Sequence, residues 1–153
     1  MRKHEREITD RTAVASIIHR ASVCRLAMVD GDWPYVVPLC FGYCNGTLYF
    51  HCAREGKKLD VLKRNDRVCV EFDLDQEPVT SESPCEWTMP YESVIGFGRA
   101  SLVDDPGSKQ KALDAIMEHY GARGPFSYHE KDLARALIIQ VTIESMTGKR
   151  LEP

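Results

Sequence analysis

The chain has 153 residues, 43% of them hydrophobic and 28% charged, with 20 Lys plus Arg against 23 Asp plus Glu and a formal net charge of −3. Such a length predicts one domain over residues 1–153, with a core large enough to need neither a disulfide nor a metal. The composition excludes a disordered chain, and the acidic balance argues against a general nucleic-acid binder while leaving room for a local basic pocket.

No apolar run approaches the roughly 20 residues of a membrane span. The start, MRKHEREITD, is basic with no apolar stretch behind it, so the expected location is the cytoplasm. In that reducing compartment the 6 cysteines are read as thiols. They form no CxxC pair, and no histidine follows Cys40 and Cys44 at finger spacing, so no metal site is expected.

In chain order, the first element is a helix capped by Thr9 or Asp10, with Val14, Ile17, Ile18 and Ala21 on one buried face. A strand over Val23–Asp30 ends at the turn dipeptide Asp30-Gly31. Tyr35–Tyr43 reads as one strand whose odd positions are large and whose even positions, including Pro38 and Cys40, are small or constrained. Pro38 has no N–H to donate, which puts it at an edge or opening of the sheet. Asn45-Gly46 predicts a tight hairpin into a strand over Thr47–Ala53. Gly56–Asn65 is a short helix with Leu59 and Leu62 inward. Arg67–Leu74 alternates with Val68, Val70, Phe72 and Leu74 on one face.

Asp75–Pro84 is a polar loop. Glu86–Val103 holds one long strand or two consecutive ones, and Gly96 and Gly98 mark a bend or a close backbone approach. Asp105-Pro106 opens a long helix whose predicted buried stripe is Leu113, Ile116, Met117 and Tyr120. Gly121–Tyr128 is a loop, and Ala136–Thr147 is the last strand. About six strands and three helices with tight turns predict a mainly β fold, an antiparallel sheet closed into a small barrel with flanking helices.

The chemistry concentrates in LYFHCAREGKKLDVLKRNDRV, Leu48 to Val68. A strand ends at Phe50-His51-Cys52-Ala53, and Lys57 and Lys58 open the helix after Gly56. Free N–H groups and the positive end of the dipole sit there. Two lysines at that end oppose the dipole, and a bound dianion such as a phosphate monoester resolves the conflict. The plainer reading is a solvated Lys-Lys face.

Together with RLAMVDGDWPYVVPLCFGY and CEWTMPYESVIGFGRASLV, this segment resembles the nitroimidazole-reductase (Nim-type) branch of the pyridoxamine 5′-phosphate oxidase-like flavoproteins, over roughly Glu7 to Ile143. The resemblance implies a six-stranded antiparallel split β-barrel, a homodimer, and FMN in a groove between the subunits. It implies that Val37, Pro38, Leu39 and Cys40 run along the flavin ring. It places Phe50, His51, Cys52 and Ala53 beside the ring and ribityl chain, Lys57 and Lys58 on the phosphate, and Ser93 within reach of the flavin. Trp87 and Tyr91 fall where a partner subunit covers the ring. The pattern departs at Cys40 and across Met89–Glu92, where Pro90 and Glu92 stand.

The implied activity is reduction of a small flat acceptor, nitroaromatic, nitroimidazole- or quinone-like, as in nitroimidazole resistance. His51 would be the catalytic proton donor or orienting group, and a reduced nicotinamide is the candidate electron donor. Plainer readings stand beside these: a satisfied strand-end histidine for His51, simple packing for Trp87 and Tyr91, a solvent-facing Ser93. Two alternatives stay open, a haem-binding split barrel with His51 or His19 as axial ligand, and a non-catalytic flavin-binding module.

Overall fold

The computed structural model describes residues 4–74 and 77–152. Its strands are β1 (Glu7–Ile8), β2 (Cys24–Asp30), β3 (Trp33–Leu39), β4 (Gly42–Cys44), β5 (Thr47–Cys52), β6 (Arg67–Asp73), β7 (Tyr91–Val103) and β8 (Leu137–Leu151). Its helices are α1 (Arg11–Arg20), α2 (Lys57–Arg64), α3 (Pro106–His119) and α4 (Glu130–Arg135). The strands form one antiparallel sheet in the order β3-β2-β6-β7-β8-β5-β4, with β1 added on β8.

The two ends of that path, β3 and β4, are neighbours in sequence, separated only by Cys40 and Phe41. A span from Leu39 to Gly42 covers at most about 11 Å, so the sheet must curl until its edges meet. The barrel is therefore closed at this seam by the chain itself, not by a hydrogen-bonded ladder. Inside lie Phe41, Phe50, Phe72, Leu26, Leu48 and Val70, none of them above 1% exposed. Helix α1 seals this core with Val14, Ile17 and Ile18, and α2 adds Leu59, Val61 and Leu62.

Local chemistry explains most boundaries. Asp10, not Thr9, caps α1, accepting from the Thr12 and Ala13 amides at 3.2 and 3.1 Å. Asp105 caps α3 with Pro106 in its first turn. Asn45 and Gly46 take the positive φ values, 48° and 78°, that a tight hairpin demands. A bulge falls between Phe97 and Gly98, where a Cβ on Gly98 would sit 2.2 Å from the Thr142 carbonyl oxygen. Pro38 lies on β3, whose one strand partner among the described residues is β2.

Several expectations need correction. The predicted strand Tyr35–Tyr43 is two strands, because Cys40 and Phe41 turn the chain from one edge of the sheet to the other. The strand expected from Glu86 begins at Tyr91, after a 3-10 turn over Pro84–Glu86. Within the predicted loop Asp75–Pro84, residues 75 and 76 lie outside the described residues, and Val79 bridges to Thr88. The last strand runs on to Leu151, and α4 precedes it.

The α3 stripe is also rotated. Ile116 is buried as expected, but Met117 and Tyr120 are 42% and 44% exposed, while Ala112 and Lys109 face inward. Lys109 reads as a surface residue in the sequence, yet its ammonium is buried on the Asp104 carboxylate (2.6 Å) and the Leu133 carbonyl (2.7 Å). Arg54 pairs with the same Asp104, so the end of β5, the end of β7, α3 and α4 meet at one carboxylate.

Candidate functional site

The site begins with a divergence of strands. Strand β4 pairs with β5 through Gly42↔Tyr49, Tyr43↔Leu48 and Cys44↔Thr47. Continued backwards, that register would set Phe41 opposite Phe50, Cys40 opposite His51 and Leu39 opposite Cys52. Instead the chain leaves β5 at Phe41 and joins β2 at Leu39↔Cys24. A wedge opens between two strand edges, Val37–Cys40 on one lip and Phe50–Ala53 on the other. Among the described residues neither lip has a ladder partner on the wedge side. Unpaired backbone groups there are ready for a ligand's polar atoms.

Side chains alternate along both lips. Val37 and Leu39 pack on the core, while Pro38 and Cys40 are exposed. Phe50 and Cys52 point inward and His51 and Ala53 outward. Phe50 is fully buried, so it offers a ligand its backbone and not its ring. Burial pushes the Cys52 thiol pKa up, and the Lys58 ammonium nearby pulls against it.

Past the end of β5, Gly56 at φ 137° caps α2 with no side-chain hydrogen bond. Lys57 and Lys58 are the first residues of that helix. Lys57 reaches Asp30 at 3.1 Å and lies over the Tyr35 ring, 4.7 Å from its centroid. Arg64, at the other end of α2, reaches the same Asp30 at 2.5 Å. The hydrogen bond from Lys57 holds the Asp30 carboxyl below the usual carboxylate range. One carboxylate thus serves both Lys57 and Arg64. Lys58 is half-buried and among the described residues has no carboxylate within 4.0 Å.

Sequence reasoning missed Asp30, Tyr35 and Arg64 at this corner. In the sequence Asp30 is the first residue of a turn dipeptide, and nothing local ties it to a helix some 30 residues later.

Tyr91 and Ser93 lie on β7, three strands from β3 in the sheet order, and Trp87 lies in the segment leading into it. Ser93 sits across from Asp73 on β6 and Lys149 on β8. It is three strand spacings from β3, about 14 Å. Trp87 is 55% exposed and donates from Nε1 to the Ser81 carbonyl at 2.7 Å. Burial pushes the Tyr91 phenol pKa up, but Arg6 and Lys149 outweigh it and hold it below the usual tyrosine value.

The departure at Pro90 and Glu92 also has a structural account. Pro90 is buried, and Glu92 is tied to Arg20 at 2.8 Å and Arg150 at 2.6 Å. Burial raises the Glu92 pKa, yet those two guanidinium groups win and hold it below the usual range. A carboxyl titrating below its unfolded value of about 4.3 stabilises the fold fully above that pH and loses its contribution as pH falls through the folded value. Glu92→Gln should therefore lower the melting temperature at neutral pH and shrink its fall on acidification. Thermal melts from about pH 7 to about pH 3 check this.

Among the described residues, cavities lie away from the predicted cofactor contacts. One, of about 510 Å³, sits between β1, α1 and β8. Another, of about 450 Å³, is lined by His19, Tyr43, Tyr49, Asp114 and His119. No group of three or more His, Cys, Asp or Glu among the described residues is placed to hold a metal. Among them, no helix is long and apolar enough to cross a membrane.

A family model described as pyridoxamine 5′-phosphate oxidase matches residues 10–150. The chain belongs to the pyridoxamine 5′-phosphate oxidase family. Among solved structures, this family member is similar to a candidate 5-nitroimidazole antibiotic resistance protein from Bacteroides thetaiotaomicron. That likeness has 37% identity and a TM-score of 0.84, covering 94% of this chain and 86% of that one. At 21% identity and a TM-score of 0.84, an FAD and haem binding protein from Mycobacterium smegmatis shares the fold, over 97% of this chain and 74% of that one. A flavocytochrome from Azotobacter vinelandii does so at 19% identity and a TM-score of 0.84, over 100% and 72%. The shared fold agrees with the mainly β, antiparallel architecture with flanking helices expected from the sequence. No curated protein matches the chain.

Proposed function

We propose that this family member is an FMN-dependent oxidoreductase that reduces a small flat acceptor, nitroaromatic, nitroimidazole- or quinone-like. The observation that carries the reading is the unpartnered wedge between β3 and β5, which ends at a helix start that has no side-chain cap and bears Lys57 and Lys58. A phosphate-tailed planar molecule fits that combination. The tail would neutralise the cationic corner, and polar ring atoms would take up backbone groups of Val37–Cys40 and Phe50–Ala53.

When bound, the flavin supplies the two-electron chemistry, and a reduced nicotinamide is the proposed donor. The chain's own residues do the rest. Lys58 and Lys57 hold the dianion, with Asp30 fixing Lys57. His51, exposed on the outer lip, holds a proton at its imidazole for the acceptor.

A homodimer is part of the proposal. Val36, Ala27, Cys69 and Phe97 follow one another across four strands on the outward face. Phe97 is 56% and Val36 52% exposed, with Ile95 and Val29 beside them. This apolar row runs into the β3 lip, which favours a second copy seated there, its Trp87 and Tyr91 closing over the groove.

The test is to purify the protein, record its visible spectrum and identify the released ligand by mass. Flavin bands and FMN are expected. A colourless protein that takes up no FMN overturns the reading, and an intense Soret band would replace it with haem. His51→Ala should retain FMN and lose most acceptor reduction, about 10²-fold as for a lost general acid, measured as turnover with menadione and metronidazole.

A further inference from the structure

The seam raises a question of rigidity. A cofactor lip made of unpaired backbone must be held from behind, since no neighbouring strand holds it. Pairing of β3 with β2 ends at Leu39↔Cys24, and pairing of β4 with β5 begins at Gly42↔Tyr49. Cys40 and Phe41 lie between them without ladder partners. Phe41 is fully buried, so its N–H needs an acceptor from elsewhere.

Tyr120 provides that acceptor. Its hydroxyl oxygen accepts the Phe41 N–H at 3.2 Å and its proton goes to the Ser22 carbonyl at 2.7 Å. One hydroxyl thus joins the end of α3 to the β3–β4 turn and to the α1–β2 turn. Next to it, the His119 ring packs on Phe41 with centroids 4.1 Å apart, and its Nε2–H donates to the Ala21 carbonyl at 2.8 Å. Burial pushes the Tyr120 phenol up to about 12, against the pull of the Phe41 amide. The group therefore keeps its proton, and this two-way bridge, at every working pH. The α3 periodicity predicts Tyr120 in the buried stripe. In the structure the residue is 44% exposed, with its hydroxyl bonded to both turns and its ring edge-on to His119 at 4.9 Å.

We propose that Tyr120 is a positioning residue of the cofactor groove, whose hydroxyl fixes the Phe41 amide and thereby the Leu39–Cys40 lip. The proposal rests on the reading of the wedge as the FMN groove, and its test separates the two. Tyr120→Phe keeps the ring and removes the bridge. Val14→Ala, in the core face of α1 and outside both lips, serves as a control for loss of stability alone.

In the FMN-free protein, Tyr120→Phe should speed amide exchange at Phe41 by about tenfold, with the effect confined to residues 39–42. It should also weaken FMN binding about tenfold, the loss of one hydrogen bond's worth of order, and shift the visible band of bound FMN. Val14→Ala should lower the melting temperature at least as much with neither effect. Unchanged exchange at Phe41, or an equal loss of FMN affinity in Val14→Ala, overturns the proposal. If the parent protein binds no FMN, the cofactor reading fails, and the exchange result alone decides whether Tyr120 holds the lip.

Discussion

Replacing Lys57 and Lys58 together by alanine should strip the protein of FMN while leaving the barrel folded. Each charge-assisted hydrogen bond to a phosphate contributes about 1.5–3 kcal/mol, so losing both should weaken affinity by roughly 10²–10⁴-fold. The fold should survive because neither lysine is in the core: Leu59, Val61 and Leu62 hold α2 to the barrel. The single variants should differ. Lys57 is already shared with Asp30 at 3.1 Å and stacked on Tyr35, so its charge is partly spent. Lys58 is not, and Lys58→Ala should account for the larger part of the loss. Fluorescence titration with FMN and a circular dichroism melt on each variant read both quantities. A double variant that purifies as yellow as the parent would move the phosphate elsewhere.

Gly42→Ala should destabilise the barrel strongly. A Cβ at Gly42 would sit 2.6 Å from both the Ala115 carbonyl carbon and the Ile116 amide nitrogen. Both are backbone atoms in the middle of α3, so no side chain can turn aside. Relief requires α3 to lift from β4, and with it the contacts of Ala112 and Ile116. The expected cost is about 3 kcal/mol or more, a fall in melting temperature of roughly 6–12 °C for a chain of this size. By contrast Gly46→Ala meets nothing within 4 Å and should cost only the strain of a positive φ, about 1 kcal/mol. Chemical denaturation of the two variants side by side checks the difference.

The elements were legible in the sequence wherever a local signal exists. The Asp10 and Asp105 caps, the Asn45-Gly46 hairpin and the alternation of Val68, Val70 and Phe72 each write their structure into a few neighbouring residues. The break between β3 and β4 was not, because Cys40 and Phe41 carry no turn signal. They leave the strand path only because β2 and β5 compete for the two halves of one run. The rotation of α3 was hidden for a similar reason. Burial of Lys109 depends on Asp104 and on the Leu133 carbonyl, which periodicity cannot see. At the site, the strand lips and the lysine pair could be named from motif and resemblance. Asp30, Arg64 and Tyr120 reach it through tertiary contacts alone.

The seam has a cost for the empty protein. Two unsatisfied strand edges side by side are a template for any other extended chain, and few charged side chains guard them at Val37–Cys40. Whatever occupies the wedge also shields those edges and draws the population toward the native state by mass action. Soluble yield in a producing cell should accordingly rise with its supply of riboflavin, and clumping should begin with the fraction that left the ribosome before finding its ligand.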